Sequence, residues 1–534
     1  MLSLILLLLP TEGLVVSVSP PADAVGRAIL AKGGNAVDAA VATGFALAVT
    51  WPEAGNIGGG GFMIVRPAGA KSQPVVIDYR EKAPAAASKT LFARGVQTPY
   101  HTVAVPGSVA GLYLSHQRFG KLGWKELLAP AIELAEKGVP VDASLARSLN
   151  AGMVRGKAFP EFVRVFGKPG GGPWKAGDTL VQPDLAATLR RIADQGPKGF
   201  YSGKTSDLLV AEMKRDKGLI TAEDLAAYRA MERKPLVGSY RGHTIYAPPP
   251  PSSGGTTLLL MLNMLEPLDL RKDGRHHPLT LHRIAEAMRR AYADRARHLG
   301  DSDFVKIPSH LTTKDYARKR FADFAPDKAT PSADVAPEIK LSDEKPSTTH
   351  YSILDKDGMA VSTTTTLEDS FGSRIVVRGA GFLLNNEMTD FNFAEGTTTR
   401  AGRIGTQANL IAPGKRPLSS MTPVIVVKDG KPVLITGSPG GRTIINTVMG
   451  VVLNVLEFEL SPPDAVAAPR MHHQWFPDRL QVEPGIPSDG LAKRGHTLQR
   501  IARQGDAHTI GIDPKTGKYI AAPDHRRAGR PAGE

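Results

Sequence analysis

Apolar residues recur with helical spacing over 36–50, 127–136, 183–194, 206–213 and 281–298, and each stretch predicts a helix with a buried face. Short β-rich runs such as Val75-Val76-Ile77 alternate with the first of them, so the opening 200 residues read as mixed α and β. Four prolines, two serines and two glycines over 248–255 predict a loop. From 322 to 347 the chain turns polar and is punctuated by Pro326, Pro331, Pro337 and Pro346, which predicts an exposed, flexible linker.

Past the linker the period changes to two. Residues 348–354, the turn Asp355-Lys356-Asp357-Gly358 and a return strand from Met359 through Thr363-Thr364-Thr365-Thr366 predict a β-hairpin. A second hairpin, 423–427 with 432–436 around Lys428-Asp429-Gly430-Lys431, leads into Gly437-Ser438-Pro439-Gly440-Gly441-Arg442 and a helical pattern over 443–457. A comparable turn occurs at 513–518, and there is no internal repeat. Hairpins following many helices predict an α+β fold, with helices layered on antiparallel sheets rather than flanking a doubly wound parallel one.

The 534 residues are 42% hydrophobic and 22% charged, as in ordinary globular chains. Sixty-six Lys and Arg against 52 Asp and Glu leave +14, but the densest basic run is only Arg318-Lys319-Arg320. Charge spread this thinly does not predict a nucleic-acid partner. With no Cys, disulfides, thiolate nucleophiles and cysteine-ligated metals are excluded. Neither His276-His277 nor His472-His473 has the i, i+4 spacing of a helical zinc pair, and neither 58–61 nor 437–441 leads into the Lys-Ser/Thr of a phosphate loop. Thr436 stands where a nucleophile elbow needs Gly, and no metal or cofactor is expected. The apolar opening, residues 1–12, reads as an export signal that lacks its basic start, since no Lys or Arg precedes Arg27; a misassigned start codon is the alternative. It is far short of the ~20 residues of a spanning helix, so no membrane partner is expected.

A threonine heading a strand just after a linker has a chemical use if the chain is cut before it. Its hydroxyl and its new α-amine then supply nucleophile and general base on one residue, the amine with an ordinary pKa of about 7.7–8.0. Thr348 holds that place, and the hairpin register pairs 355 with 359 and therefore 348 with 366, setting the Thr366 hydroxyl beside it. A half-buried threonine-rich strand is the alternative reading. Gly440-Gly441, between a strand end and a helix start, suits a developing oxyanion or a plain helix-entry turn.

These segments resemble the γ-glutamyltranspeptidase family. The likeness is carried by Thr348-Thr349-His350-Tyr351-Ser352, Leu383-Leu384-Asn385-Asn386, Arg416-Pro417-Leu418-Ser419-Ser420-Met421 and Gly437-Ser438-Pro439-Gly440-Gly441. Toward the N-terminus it is carried by 33–40, Gly58-Gly59-Gly60-Gly61-Phe62, Asp78-Tyr79-Arg80-Glu81 and 105–111, so it spans nearly the whole chain. The resemblance implies an N-terminal-nucleophile hydrolase of stacked αββα layers, a four-layer sandwich formed jointly by two subunits. It implies a precursor that cuts itself between Ser347 and Thr348 into a large subunit, 13–347 after the signal segment and ending in the linker, and a small subunit, 348–534. The Thr348 hydroxyl would attack the Ser347 carbonyl, and later a γ-glutamyl amide such as glutathione, passing the acyl group to water or to an amino acid or peptide acceptor. The activities implied are γ-glutamyltransferase and glutathione hydrolase, in the periplasm or outside the cell.

By the same resemblance, Thr366 supports the nucleophile and Gly440 and Gly441 bind the oxyanion. Arg80 grips the substrate's α-carboxylate with Ser419 and Ser420, while Glu387 and Asp390 hold its ammonium, assisted by Glu368. Glu368 and Glu387 fall within the residue choices of the family. Some members carry an aromatic gate in the loop after the Asp; residues 397–402 offer no Tyr for one. Cephalosporin (glutaryl) acylases and poly-γ-glutamate enzymes share the scaffold and are the nearest alternatives, and a non-processing binder of γ-glutamyl compounds is the alternative from another class.

Overall fold

Two six-stranded sheets face each other with helices over both outer faces in the computed structural model, which describes residues 9–336, 347–396, 398–401 and 404–528. The first eight residues of the signal segment, 337–346 of the linker, and Thr397 and Gly402 of the loop after Asp390 lie outside the described residues.

The first sheet runs, edge to edge, Leu14–Ser17, Ser347–Leu354, Ala360–Glu368, Gly60–Arg66, Val75–Asp78 and Met231–Arg233. The second runs Tyr519–Ala522, Thr509–Ile512, Lys431–Thr436, Val424–Lys428, His243–Ala247 and Leu236–Tyr240. Every pairing in both is antiparallel. Strand alternation divides the apolar side chains between two cores. Val15, Met63, Val65 and Ile77 point to the helices Pro20–Ala31, Ala36–Thr50 and Ser108–Phe119, whereas Val16, Phe62, Ile64 and Val76 point inward to the other sheet. The second sheet's outer face is covered by Gly254–Leu265 and Thr443–Leu456, and Pro278–His298 packs on Gly254–Leu265. The layers are α, β, β, α, the N-terminal-nucleophile hydrolase arrangement expected.

The predicted helices are present as Ala36–Thr50, Trp124–Lys137, Pro183–Gln195, Gly203–Met213, Pro278–His298 and Thr443–Leu456. The first starts sharply because the Asn35 side chain accepts from the Val37 and Asp38 N–H groups and the Asp38 side chain accepts from the Asn35 N–H.

Two expectations need correction. The loop expected over 248–255 ends early, because Gly254 and Gly255 open the fully buried helix Gly254–Leu265, whose apolar run has no polar face to give it a period. The segment from 322, expected to be exposed and flexible, is largely exposed as far as Ala336 but is anchored: it includes the short helix Ser332–Val335, and Ser332, Val335 and Ala336 are buried. Buried charge holds it there. Arg290 Nε donates to Asp323 Oδ1 at 3.0 Å, Arg289 Nη1 donates to Ser332 Oγ at 2.7 Å, and Trp475 Nε1 donates to the Ser332 carbonyl at 2.8 Å.

Candidate active site

The hairpin register holds as expected from Leu354↔Ala360 to Thr349↔Thr365, and then slips. Ser347 pairs with Glu368, so Thr366 and Leu367 together stand opposite Thr348. This is a β-bulge, a device that re-aims a side chain beside a reactive site, and Glu368 takes the left-handed backbone (φ 77°) that closes it. The bulge turns Thr366 toward its neighbour: Thr348 Oγ1 and Thr366 Oγ1 lie 3.4 Å apart, and Thr366 Oγ1 also accepts the Glu368 N–H at 2.8 Å. Both threonines are buried. On the far side of the return strand the glycine run allows backbone on backbone, for a Cβ on Gly59 would stand 2.0 Å from the Thr366 carbonyl oxygen. Asn56 Nδ2 donates to that same carbonyl at 2.8 Å, fixing the peptide behind the hydroxyl.

His350, two residues from Thr348, does not serve as its base. Its Nδ1 lies 2.9 Å from Thr364 Oγ1 and its Nε2 3.0 Å from Ser352 Oγ, and burial drives its pKa well below the ordinary histidine value. It is a neutral spacer under the next motif: a Cβ on Gly437 would come within 2.4 Å of its ring.

Thr348 and Thr366 open on a cavity whose wall includes Arg80, Arg295, Glu368, Asp390, Ser419, Ser420 and Gly441. Gly440 and Gly441 both have positive φ (131° and 57°), a conformation that favours glycine, at the entry to the helix Thr443–Leu456. Gly441 borders the cavity that Thr348 opens on, and Gly440 borders a second, larger one.

Arg80 follows the strand Val75–Asp78, is 1% exposed, and is clamped. Asp78 Oδ1 accepts its N–H at 2.9 Å, and its Nε donates to the Pro417 carbonyl at 3.1 Å. The guanidinium meets Glu81 at 3.3 Å, Asp390 at 2.5 Å, and Glu387. Burial alone would depress its pKa, but Glu387, Glu81 and Asp390 outweigh it and raise it. The glutamates move the same way for a different reason. Burial pushes Glu81 and Glu387 up, Asp390 reinforces the rise, and Arg80 opposes it. Glu387 meets the same guanidinium through one carboxyl oxygen while fully buried, so three carboxylates crowd a single cation. The structure places Glu387 fully buried behind Arg80, whereas Asp390 and Glu368 stand on the cavity wall.

The loop bearing Ser419 and Ser420 is tied at both ends. Arg416, 2% exposed, faces Asp78 at 3.4 Å, and its N–H donates to Asp301 Oδ2 at 2.8 Å. Ser253 N–H donates to the Ser419 carbonyl at 2.7 Å, and Ser419 N–H to the Pro251 carbonyl at 2.9 Å. After Asp390 the chain folds back over the cavity, with Asn392 N–H donating to the Asn409 carbonyl at 2.9 Å and Asn392, Ile404 and Thr406 on the wall. Of the two aromatics in its described part, Phe391 is fully buried and Phe393 packs on Phe92 with ring centroids 4.7 Å apart.

Three functional candidates escaped the sequence reading. Asn386 donates to Glu368 Oε2 and accepts the Asp369 N–H, orienting Glu368. Asn409 donates to the Asp390 carbonyl at 2.6 Å and accepts the Leu418 N–H at 2.9 Å, joining the two binding loops. Arg295 lies on the cavity wall although it belongs to an apolar helix face, three and four residues after the buried Tyr292 and Ala291. A cation on such a stripe is the signal that could have found it.

The sequence profile described as "Gamma-glutamyltranspeptidase" matches residues 22–534. The glutathione hydrolase proenzyme of Escherichia coli (strain K12) is 44% identical over 96% of this chain and 90% of its own length. Among solved structures, a cephalosporin acylase from Bacillus halodurans superposes with a TM-score of 0.84 at 28% identity, over 97% of this chain and 94% of that one. The γ-glutamyltranspeptidase of Helicobacter pylori is similar with a TM-score of 0.59 at 43% identity, over 62% of this chain and 96% of that one. The paired threonines, the glycine turn and the charged cavity therefore sit in a known setting: this chain belongs to the γ-glutamyltranspeptidase family.

Proposed function

We propose that this protein is a self-processing γ-glutamyltransferase and glutathione hydrolase. The observation that carries the reading is the Thr348–Thr366 hydroxyl pair opening on one cavity with Arg80, Ser419 and Ser420 along with Asp390 and Glu368. A γ-glutamyl group presents an α-carboxylate and an α-ammonium, and that wall offers a partner to each.

In maturation, the Thr348 hydroxyl attacks the Ser347 carbonyl carbon, the acyl group moves from N to O, and water hydrolyses the ester. That frees the large subunit's carboxylate and the α-amine of Thr348. In turnover, the amine takes the hydroxyl proton as the oxygen attacks the γ-glutamyl carbonyl, with Thr366 orienting that oxygen and the N–H groups of Gly440 and Gly441 meeting the oxyanion. The amine proton then passes to the leaving nitrogen, and water or an acceptor amine releases the acyl group. Arg80, Ser419 and Ser420 hold the carboxylate. Asp390 and Glu368 hold the ammonium, while Glu387 supports Arg80 from behind. The Helicobacter match, 96% of that chain against 62% of this one, fits a relative whose subunits are separate chains. The apolar opening stretch supports export to the periplasm or beyond, and no helix among the described residues is long and apolar enough to cross a membrane.

The superposition on a cephalosporin acylase favours a second reading, a glutaryl acylase. A glutaryl group has no ammonium, and the acids on the cavity wall argue against it. Purified protein incubated with glutathione and with a glutaryl amide separates the two by product release. On a denaturing gel, wild type is expected as two bands, the smaller beginning at Thr348, and Thr348→Ala as one. An intact wild type, or turnover of the glutaryl amide alone, would overturn the proposal.

A further inference from the structure

Behind the pocket serines lies a supporting layer from the other half of the chain. Ser420 Oγ accepts from Arg295 Nη2 at 2.9 Å, and Ser419 Oγ accepts the Met421 N–H at 3.0 Å. Arg295 Nε donates to Ser253 Oγ at 2.8 Å, and Ser253 Oγ in turn donates to the Ser419 carbonyl at 2.6 Å. The guanidinium thus spans two points of one frame, gripping the side chain of Ser420 and, through Ser253, the backbone of Ser419.

Proton counting gives this frame a direction. A hydroxyl has one proton to donate, and a guanidinium only donates, so Ser420 meets Arg295 as an acceptor and keeps its proton for another partner. Ser419 stands the same way toward Met421. Among the described residues neither hydroxyl donates to a protein acceptor, and both residues line the cavity. An acceptor is what this wall is built to receive. Its positive charge also needs a source. Two guanidiniums reach that wall: Arg80, paired with Glu81, Glu387 and Asp390, and Arg295, 8% exposed on the serine side of the same cavity.

We propose that Arg295 is a positioning residue for carboxylate recognition, fixing the Ser420 hydroxyl so that its proton faces the substrate and adding positive charge to that wall. This rests on the γ-glutamyl reading above, and the test keeps the two apart. Three p-nitroanilides probe it: γ-glutamyl, with both charged groups; glutaryl, without the ammonium; and 4-aminobutyryl, without the carboxylate. Arg295→Met is expected to raise KM about tenfold for the γ-glutamyl substrate with kcat nearly unchanged, and to lower kcat/KM for the glutaryl one by a similar factor. The 4-aminobutyryl substrate is expected to keep its kcat/KM within about twofold. Arg295→Lys restores the charge without the two-point grip and should recover only part of the loss.

Ser253→Ala, which removes one anchor and leaves the cavity charge, carries the test if Arg295→Met fails to fold or to cleave itself, and should show a smaller loss with the same selectivity. Equal losses on all three substrates, or an unchanged KM, would overturn the role of Arg295. A wild type that releases nothing from the γ-glutamyl substrate would overturn the reading beneath it.

Discussion

Glu387 and Asp390 are three residues apart, both carboxylic, and both against Arg80, yet the structure gives them different surroundings. Asp390 has a side chain 24% exposed on the cavity wall, whereas Glu387 is fully enclosed and does not line the cavity. Ionising Glu81, Glu387 and Asp390 together would leave two net negative charges around a single guanidinium, and uncompensated buried charge costs several kcal/mol per ion. Burial accordingly holds the Glu387 carboxyl above its usual range. Glu387→Gln keeps nearly the same shape at a position that does not line the cavity, and should change KM for γ-glutamyl-p-nitroanilide by less than about threefold at pH 7. Asp390→Asn replaces the side chain proposed to hold the substrate ammonium, a charge-assisted hydrogen bond of about 1.5–3 kcal/mol, and should raise KM on the order of 10- to 100-fold. Steady-state kinetics of the two self-cleaved variants decides the matter. If Glu387→Gln raises KM as much as Asp390→Asn, Glu387 touches substrate as well, and the division of roles by burial fails.

Gly440→Ala tests the oxyanion wall, because at φ 131° an alanine is strained and its Cβ would stand 2.5 Å from Thr443 Oγ1. The expected result is a fall in kcat of about 100-fold with KM little altered, and a wild-type kcat would remove the glycines from the chemistry. Acid stability offers a check on the buried histidines. Burial lowers the pKa of His350 well below the usual value and those of His472, His473 and His496 to about 3, about 4 and about 3. Below pH ~6.5 the unfolded chain binds protons that the folded one refuses, so stability present at neutral pH is lost as pH falls, by up to about 1.4 kcal/mol per histidine per pH unit. The thermal midpoint of uncleaved Thr348→Ala should therefore drop steeply between pH 6 and 5; a flat profile would mean these rings are protonated in the fold.

Much of the site was legible because its parts are local. The Asp355-Lys356-Asp357-Gly358 turn sets the register that brings Thr366 to Thr348, and the glycines at 440 and 441 mark a turn that side chains rarely adopt. The bulge was not legible, since it arises where Thr366 and Leu367 share one partner and no residue type announces it. Nor was the difference between Glu387 and Asp390, which depends on which one Arg80 shields from the cavity. The stretch from 322 looked like solvent-exposed chain because its residues are polar, but their partners, Arg289, Arg290 and Trp475, are far away in sequence. Local pattern reports a residue's own preference, and these positions are decided by what reaches them from elsewhere.

The same long-range construction governs the fate of the cleaved chain. In the first sheet, Ser347–Leu354 lies between Leu14–Ser17 and Ala360–Glu368, and the latter pairs in turn with Gly60–Arg66. In the second sheet, His243–Ala247 pairs with Val424–Lys428. Strands from both sides of the proposed cut thus interleave in the first sheet and meet at one seam in the second, and the cavity wall takes Arg80 and Arg295 from one side and Asp390, Ser419 and Ser420 from the other. Cutting one peptide bond before Thr348 removes none of these ladders, so the products have no path apart that does not tear a buried sheet. Assembly must come first, because the bulge that aims the Thr348 hydroxyl is formed only once the return strand is in register. The site that would cut the chain and the site that would turn over substrate are then one arrangement, and the cut adds to it only an amine.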